Sequence, residues 1–171
     1  KAVGAGRLQA IRTSLDALLG EQKELIDRIA NTPYKITMFE EDIAVITRLR
    51  AEVEEMKGRD AVFTDEQLAP LVQAEKDLAE LKARSEAAHA AIAALPEADA
   101  VLYTDKDKIE DARAQMQELE GKDTFSETET RKLKAAEEAI AAIVTDIGEA
   151  SDAISQLGTI TTDAVTAGNI R

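Results

Sequence analysis

The sequence predicts an all-α fold of tandem, antiparallel three-helix bundles that share long continuous helices. Three observations lead there. First, apolar residues recur at alternating steps of three and four, the spacing of one helical face, along Leu133, Ala136, Ile140, Ile143, Ile147, Ala150, Ile154 and Leu157. Second, that seam occurs three times at an offset of about 62 residues, as Leu8, Ile11, Leu15, Leu18, Gln22, Leu25, Ile29 and Thr32, then as Leu71, Ala74, Leu78, Leu81, Ser85, Ala88, Ile92 and Leu95. Third, the punctuation repeats with the seam: Gly58-Arg59-Asp60 matches Gly121-Lys122-Asp123, Phe63-Thr64 matches Phe125-Ser126, and Pro33 matches Pro96, with Gly158 at the third copy. No stretch alternates with the period of two that a half-buried strand needs. Alanine, the most frequent residue, is with leucine, glutamate and lysine a strong helix former.

Taken in order, the pattern predicts helices over 7–31, 38–57, 64–95, 104–120 and 127–157. The first stops before Pro33. The second starts at the capping box Thr37-Met38-Phe39-Glu40 and stops at Gly58. The third starts at Phe63-Thr64-Asp65-Glu66-Gln67, where the threonine hydroxyl and the Gln67 side chain satisfy amides at the helix start and Phe63 staples onto Leu68. Pro70 deletes one backbone bond there, which predicts a kink or a start delayed to about Ala69. The fourth starts at Thr104, with Asp105 and Asp107 in its first turn, and stops at Gly121. The fifth starts at the box Ser126-Glu127-Thr128-Glu129 and stops at Gly158.

Loops of about six to eight residues force neighbouring helices antiparallel. A helix of about 30 residues is ~45 Å long and one of about 17 residues only ~26 Å, so a long helix has to serve two bundles. The predicted domains are a first three-helix bundle over 7–80, with helix 64–95 shared, a second over 81–157, and the start of a truncated third repeat over 158–171. Gln22 and Ser85, polar at the seam midpoints where the third copy has Ile147, mark the expected junctions, with Gly148 nearby. The folding energy is expected to reside in Leu78, Leu81, Ile92, Leu95, Ile109, Met116, Leu119, Leu133, Ile140 and Ile143. Leu8 opens a long helix with no partner before it, and Thr161, Val165, Thr166 and Ile170 resemble a lead-in that stops, so the pattern predicts a segment of a longer array.

Composition narrows the function. The 171 residues carry a formal charge of −13, no cysteine, no tryptophan, one histidine and 3% aromatics. Disulfides and thiolate metal sites are excluded. An acidic surface repels a phosphate backbone, so no nucleic-acid partner is expected. Apolar runs fall short of the ~18 residues of a membrane span, so no membrane insertion is expected either.

The residues that could carry chemistry read as structural. His89 flanks the seam of helix 64–95, with no second histidine to share a ligand. Asp105, Asp107, Glu110 and Asp111 lack the turn glycine and terminal bidentate acid of a calcium loop, and suit a helix N-terminus. Gly58-Arg59-Asp60 and Gly121-Lys122-Asp123 lack the glycine spacing of a phosphate loop and read as turns. Tyr34, Phe39, Phe63, Tyr103 and Phe125 fall at helix ends and are expected to plug the bundles. Glu80 and Arg84 suit a solvated face. No catalytic, cofactor or metal residue is assigned, and an enzyme is not expected.

Tyr103-Thr104-Asp105, Ile109, Ala112-Arg113, Leu119 and Leu133-x-x-Ala136-Glu137-x-x-Ile140, with Leu71-Val72-Gln73-Ala74-Glu75 repeating the last element, resemble the three-helix repeats of Gram-positive surface proteins. These include FIVAR-type modules and the tandem repeats of giant matrix-binding adhesins. The resemblance implies a spectrin-like elongated rod, exported and associated with the bacterial cell wall. It implies a non-enzymatic stalk or spacer that projects other domains, as a monomeric rod whose partners are neighbouring repeats. Two other readings remain open. An adhesin-type module would bind a host matrix protein or glycan through an exposed patch. A cytoplasmic coiled-coil assembly protein would self-associate through the seam.

Overall fold

A computed structural model describes the backbone of residues 2–168 and the side chains of residues 4–158. It is all-helical, and no strand occurs among the described residues. Five helices follow in order: α1 (Ala2–Asn31), α2 (Glu40–Lys57), α3 (Asp65–Ala93), α4 (Lys106–Glu118) and α5 (Glu127–Gly168), with two short 3-10 turns, Ala98–Ala100 and Tyr103–Asp105, ahead of α4.

The ends differ from the sequence expectation where local chemistry decides. α1 begins at Ala2 rather than at residue 7, because nothing before Leu8 stops a helix. α2 begins at Glu40 rather than 38. The Thr37 hydroxyl accepts the Phe39 amide at 3.1 Å and donates to Asp42 at 2.7 Å, so it is spent on a turn and Phe39 caps the helix without a side-chain bond. The box expected with Glu40 does not form. α3 begins at Asp65, so Pro70 does not delay it. The Thr64 amide donates to Gln67 Oε1 at 2.9 Å and the Gln67 amide to Thr64 Oγ1 at 3.3 Å, which fixes the turn before the proline is reached. At α4 the helix starts after Asp105, whose carboxylate accepts the Leu102 amide at 3.1 Å, and no bond from Thr104 contributes. α5 runs through Gly158 to Gly168; one helical glycine costs ~1 kcal/mol, too little to end a helix where no proline follows. The repeat expected over 158–171 otherwise lies outside the described side chains.

The chain divides into two compact units. Unit 1 holds the residues up to Ser85 together with Glu120–Thr124, and unit 2 holds Glu86–Leu119 and the residues from Phe125 on. The core of unit 1 is drawn from three helices: Leu25 and Ile29 of α1, Ile46, Leu49, Val53 and Met56 of α2, and Leu68, Leu71 and Ala74 of α3. Leu18, Tyr34, Ile36, Phe63 and Leu78 pack around it, which puts Phe63 in the same cluster as Leu68. Unit 2 has the corresponding set: Ile92 of α3, Ile109 and Ala112 of α4, and Leu133, Ala136 and Ile140 of α5, closed by Leu95 and Val101. Of the residues expected to carry the folding energy, Leu81, Ile92, Leu95, Ile109, Leu119, Leu133 and Ile140 are buried, whereas Leu78, Met116 and Ile143 are half-buried.

The polar seam midpoints are held by loops. Gln22 donates its side-chain amide to the Val62 carbonyl at 2.5 Å, and the Ser85 hydroxyl donates to Asp123. The Met38 amide donates to the Lys122 carbonyl at 2.6 Å, which attaches the 120–124 loop to unit 1.

Candidate functional site

A group of polar and aromatic side chains lies in unit 2, around the start of α5. Ser126 and Glu129 form the capping box expected from the sequence: the Ser126 amide donates to Glu129 Oε2 at 2.8 Å and the Glu129 amide to Ser126 Oγ at 3.2 Å. α3 brings His89 to the same carboxylate, with Nδ1 at 2.6 Å from Glu129 Oε1. The imidazole lies against Phe125, ring centres 4.6 Å apart and planes inclined by 34°. The Ser126 hydroxyl bond, against the pull of burial, and then His89 and the Ser126 amide hold the Glu129 carboxyl down to about 2. Glu129 is therefore an ionised group already engaged on both oxygens. Ser126 Oγ rests on that carboxylate at 2.7 Å and not on the imidazole, so the trio lacks the nucleophile-to-base contact of an activated serine. The sequence placed His89 on the flank of the seam, and the structure finds it half-buried there.

Two further constellations were not singled out from the sequence. Arg50 of α2 grips Glu75 of α3 in a two-pronged pair, Nε to Oε1 at 2.6 Å and a terminal nitrogen to Oε2 at 2.5 Å. Arg113 of α4 grips Glu137 of α5 with the same atoms at the same distances. Each guanidinium is pushed further up by its glutamate hydrogen bond, which favours its charged form. The repeat offset relates Arg50 to Arg113 and Glu75 to Glu137, which is the signal that could have found them. Unit 1 adds Arg28 with Glu52, and Arg59 with Glu21 at 2.5 Å; the Arg59 hydrogen bond lowers the Glu21 carboxyl below the usual range.

The remaining sequence candidates are dispersed. Asp105 is lowered by the Leu102 amide and then by Lys108, at 3.1 Å. Among the described residues no three His, Cys, Asp or Glu side chains gather into a metal site. The Gly58-Arg59-Asp60 turn sends Arg59 to Glu21, and Gly121-Lys122-Asp123 sends Asp123 to Ser85. Tyr34 donates its hydroxyl to the Ile29 carbonyl at 3.1 Å, and burial raises its ionisation point. Phe63 packs on the core of unit 1, Phe125 on that of unit 2, and Phe39 is half-buried, whereas Tyr103 is 53% exposed and so plugs nothing. Glu80 and Arg84 lie 3.8 Å apart on an exposed face.

Shallow grooves accompany the ion pairs. One of about 270 Å³ in unit 1 is lined by Glu21, Glu24, Glu52, Glu55, Arg28 and Arg59, and the two ion pairs of that set occupy it. Another of about 320 Å³ has Ile46 and Leu78 beside the Arg50–Glu75 clamp. A third, about 250 Å³ in unit 2, is lined by Glu97, Thr128, Arg131 and Lys132. Lys132 reaches the Ala93 carbonyl at 2.8 Å. The ion pairs beside these grooves fasten one element to another: Arg28 of α1 to Glu52 of α2, Arg59 to Glu21 of α1, and Arg50 of α2 to Glu75 of α3. Among the described residues no helix is long and apolar enough to cross a membrane.

No family model, no curated protein and no solved structure matches the chain.

Proposed function

We propose that this chain is a structural spacer: a run of repeated three-helix bundles, joined through long helices into a rod that holds other parts of a protein at a distance. The observation that carries the reading is the recurrence of fastening chemistry at one offset. The arginine–glutamate clamp, the capping box and the three-helix apolar set each occur in both units. Repetition of fasteners, each arginine clamp closed by a glutamate of its own unit, suits a part whose task is to add length. Nearest-neighbour packing makes the stability of such an array grow roughly with the number of repeats. The formal charge of −13 keeps neighbouring rods soluble and apart. The resemblance of Tyr103-Thr104-Asp105 and the Leu-x-x-Ala-Glu elements to Gram-positive surface repeats supports a bacterial cell wall as the location we propose for the rod.

Small-angle X-ray scattering of the dilute chain tests the rod. Two bundles laid end to end give a radius of gyration of about 25–30 Å, whereas a compact particle of this length gives about 15–16 Å. The larger value is expected. The smaller one overturns the spacer.

A further inference from the structure

The three copies of the long-helix seam are covered unequally. On α3 the whole seam is buried except for Leu78, which is half-buried. On α1 Leu25 and Ile29 are buried and Leu18 and Gln22 half-buried, but Leu8, Ile11 and Leu15 are 70%, 65% and 52% exposed. On α5 Leu133, Ala136 and Ile140 are buried and Ile143 is half-buried, but Ile147 and Ile154 are 49% and 69% exposed. Two apolar helix faces are therefore open to solvent, and the repeat itself says what covers such faces. By the repeat offset, Leu8 and Ile11 of α1 correspond to Leu71 and Ala74 of α3, and Ala150 and Ile154 of α5 correspond to Leu25 and Ile29 of α1. Leu71 and Ala74 share one core with Leu25 and Ile29 in unit 1. Ile92 of α3 shares one with Leu133 and Ala136 of α5 in unit 2. Twice within the chain, then, the second half of one seam packs with the first half of the next.

Charge agrees with the pairing. Residues 4–20 carry Arg7 and Arg12 against Asp16, a net of +1, whereas residues 144–158 carry Asp146, Glu149 and Asp152 with no lysine or arginine, a net of −3. The overall charge of −13 makes the basic face the exception and directs an acidic helix toward it.

We infer that the occupant of both faces is a second copy of this chain: the exposed seam of α5 in one molecule packs against the exposed seam of α1 in the next. The contact joins two different surfaces, so it leaves one α1 face and one α5 face free at the ends of every oligomer and is open-ended. α2 and α4 are already spent in the cores of their own units, so a contact between two long helices alone is weaker than those cores. The inference rests on the exposed seams and not on the spacer reading. Scattering of the dilute chain tests the spacer, and a variant-mixing experiment tests the contact.

Two double variants are needed, Ile11→Glu with Leu15→Glu on α1, and Ile147→Glu with Ile154→Glu on α5. All four side chains are about half or more exposed, and circular dichroism verifies that the helices persist. Sedimentation equilibrium from about 10 µM to about 1 mM is expected to show a wild-type mass that climbs past the dimer without a plateau. Each variant alone is expected to associate at least ~10-fold more weakly. An equimolar mixture is expected to stop at a one-to-one heterodimer, through the α5 face left intact in one and the α1 face left intact in the other. A wild type that stays monomeric overturns the inference. So does a variant that still self-associates, since α1–α1 or α5–α5 contacts would then be at work, and so does a mixture that forms no heterodimer.

Discussion

The two units use the same frame and fill it differently. α2 presents Ile46, Leu49, Val53 and Met56, and α4 with its C-terminal cap Leu119 presents Ile109, Ala112, Met116 and Leu119 at the same steps. The clamps match atom for atom. The volumes do not: unit 1 buries Leu49 where unit 2 buries Ala112, and Leu25 where unit 2 buries Ala88. Even the shared turn glycine is held for two reasons. A side chain at Gly58 would meet the Glu55 carbonyl at 3.2 Å, and the left-handed position of that turn is Asp60. Gly121 instead takes the left-handed position itself, with φ 71°. Register, clamps and caps define the repeat, then, while each unit settles its own core volume.

The strongest test of that equivalence is truncation at a position both units bury completely. Leu71→Ala in unit 1 and Leu133→Ala in unit 2 are each expected to cost ~2–5 kcal/mol, and to cost similar amounts. Hydrogen exchange assigns each loss to its unit, since a chain of two units need not unfold in one step. A loss from one variant alone would break the equivalence. The volume difference gives the next test. If each core is packed for its own residues, Ala112→Leu costs ~1–3 kcal/mol by overfilling unit 2, although Leu49 stands at the matching place in unit 1. A stabilised Ala112→Leu would mean that unit 2 carries unused space.

Glu75→Gln and Glu137→Gln test the clamps. Each pair is about one-third exposed, so the expected loss is ~0.5–1 kcal/mol, equal in the two units and smaller at high salt. These pairs also mark the limit of what was legible in the sequence. A seam stepping by three and four announces itself within one helix, so the five helices and most of the core could be read directly. An arginine and a glutamate about 24 residues apart reveal their pairing only when the repeat is used a second time, on polar positions. The exposed halves of α1 and α5 carry the same apolar pattern as the buried halves, so pattern alone identifies an interface without saying what fills it. Thr37 misled because a hydroxyl near a helix start can serve a turn as readily as a cap. Gly158 misled because glycine weakens a helix without ending it.

The caps separate the units by acid sensitivity, the smallest effect expected. At the third position after the cap residue, unit 1 has Gln67 and unit 2 has Glu129. Gln67 does not titrate. The Glu129 carboxyl is held at about 2 in the folded chain, by the Ser126 hydroxyl foremost and by His89, against an ordinary value of 4.5. A depressed folded value means that the unfolded chain takes up the proton first. The contribution is therefore whole above about pH 4.5 and disappears as the pH falls toward 2. Glu129→Gln keeps the box and removes the charge, so a loss of ~0.3–1 kcal/mol is expected at neutral pH and none near pH 2. Denaturant unfolding of both proteins across that range, read by exchange in unit 2, measures the difference. His89→Gln in the same series separates the imidazole's share from that of Ser126. Gln67→Glu carries the comparison to unit 1, where Thr64 can supply the hydroxyl but the position matching His89 is Ile26. The transplanted acid is expected to recover only the hydroxyl's part of the acid sensitivity. If it recovers all of it, the imidazole adds nothing to the cap, and the difference between the units reduces to one carboxyl.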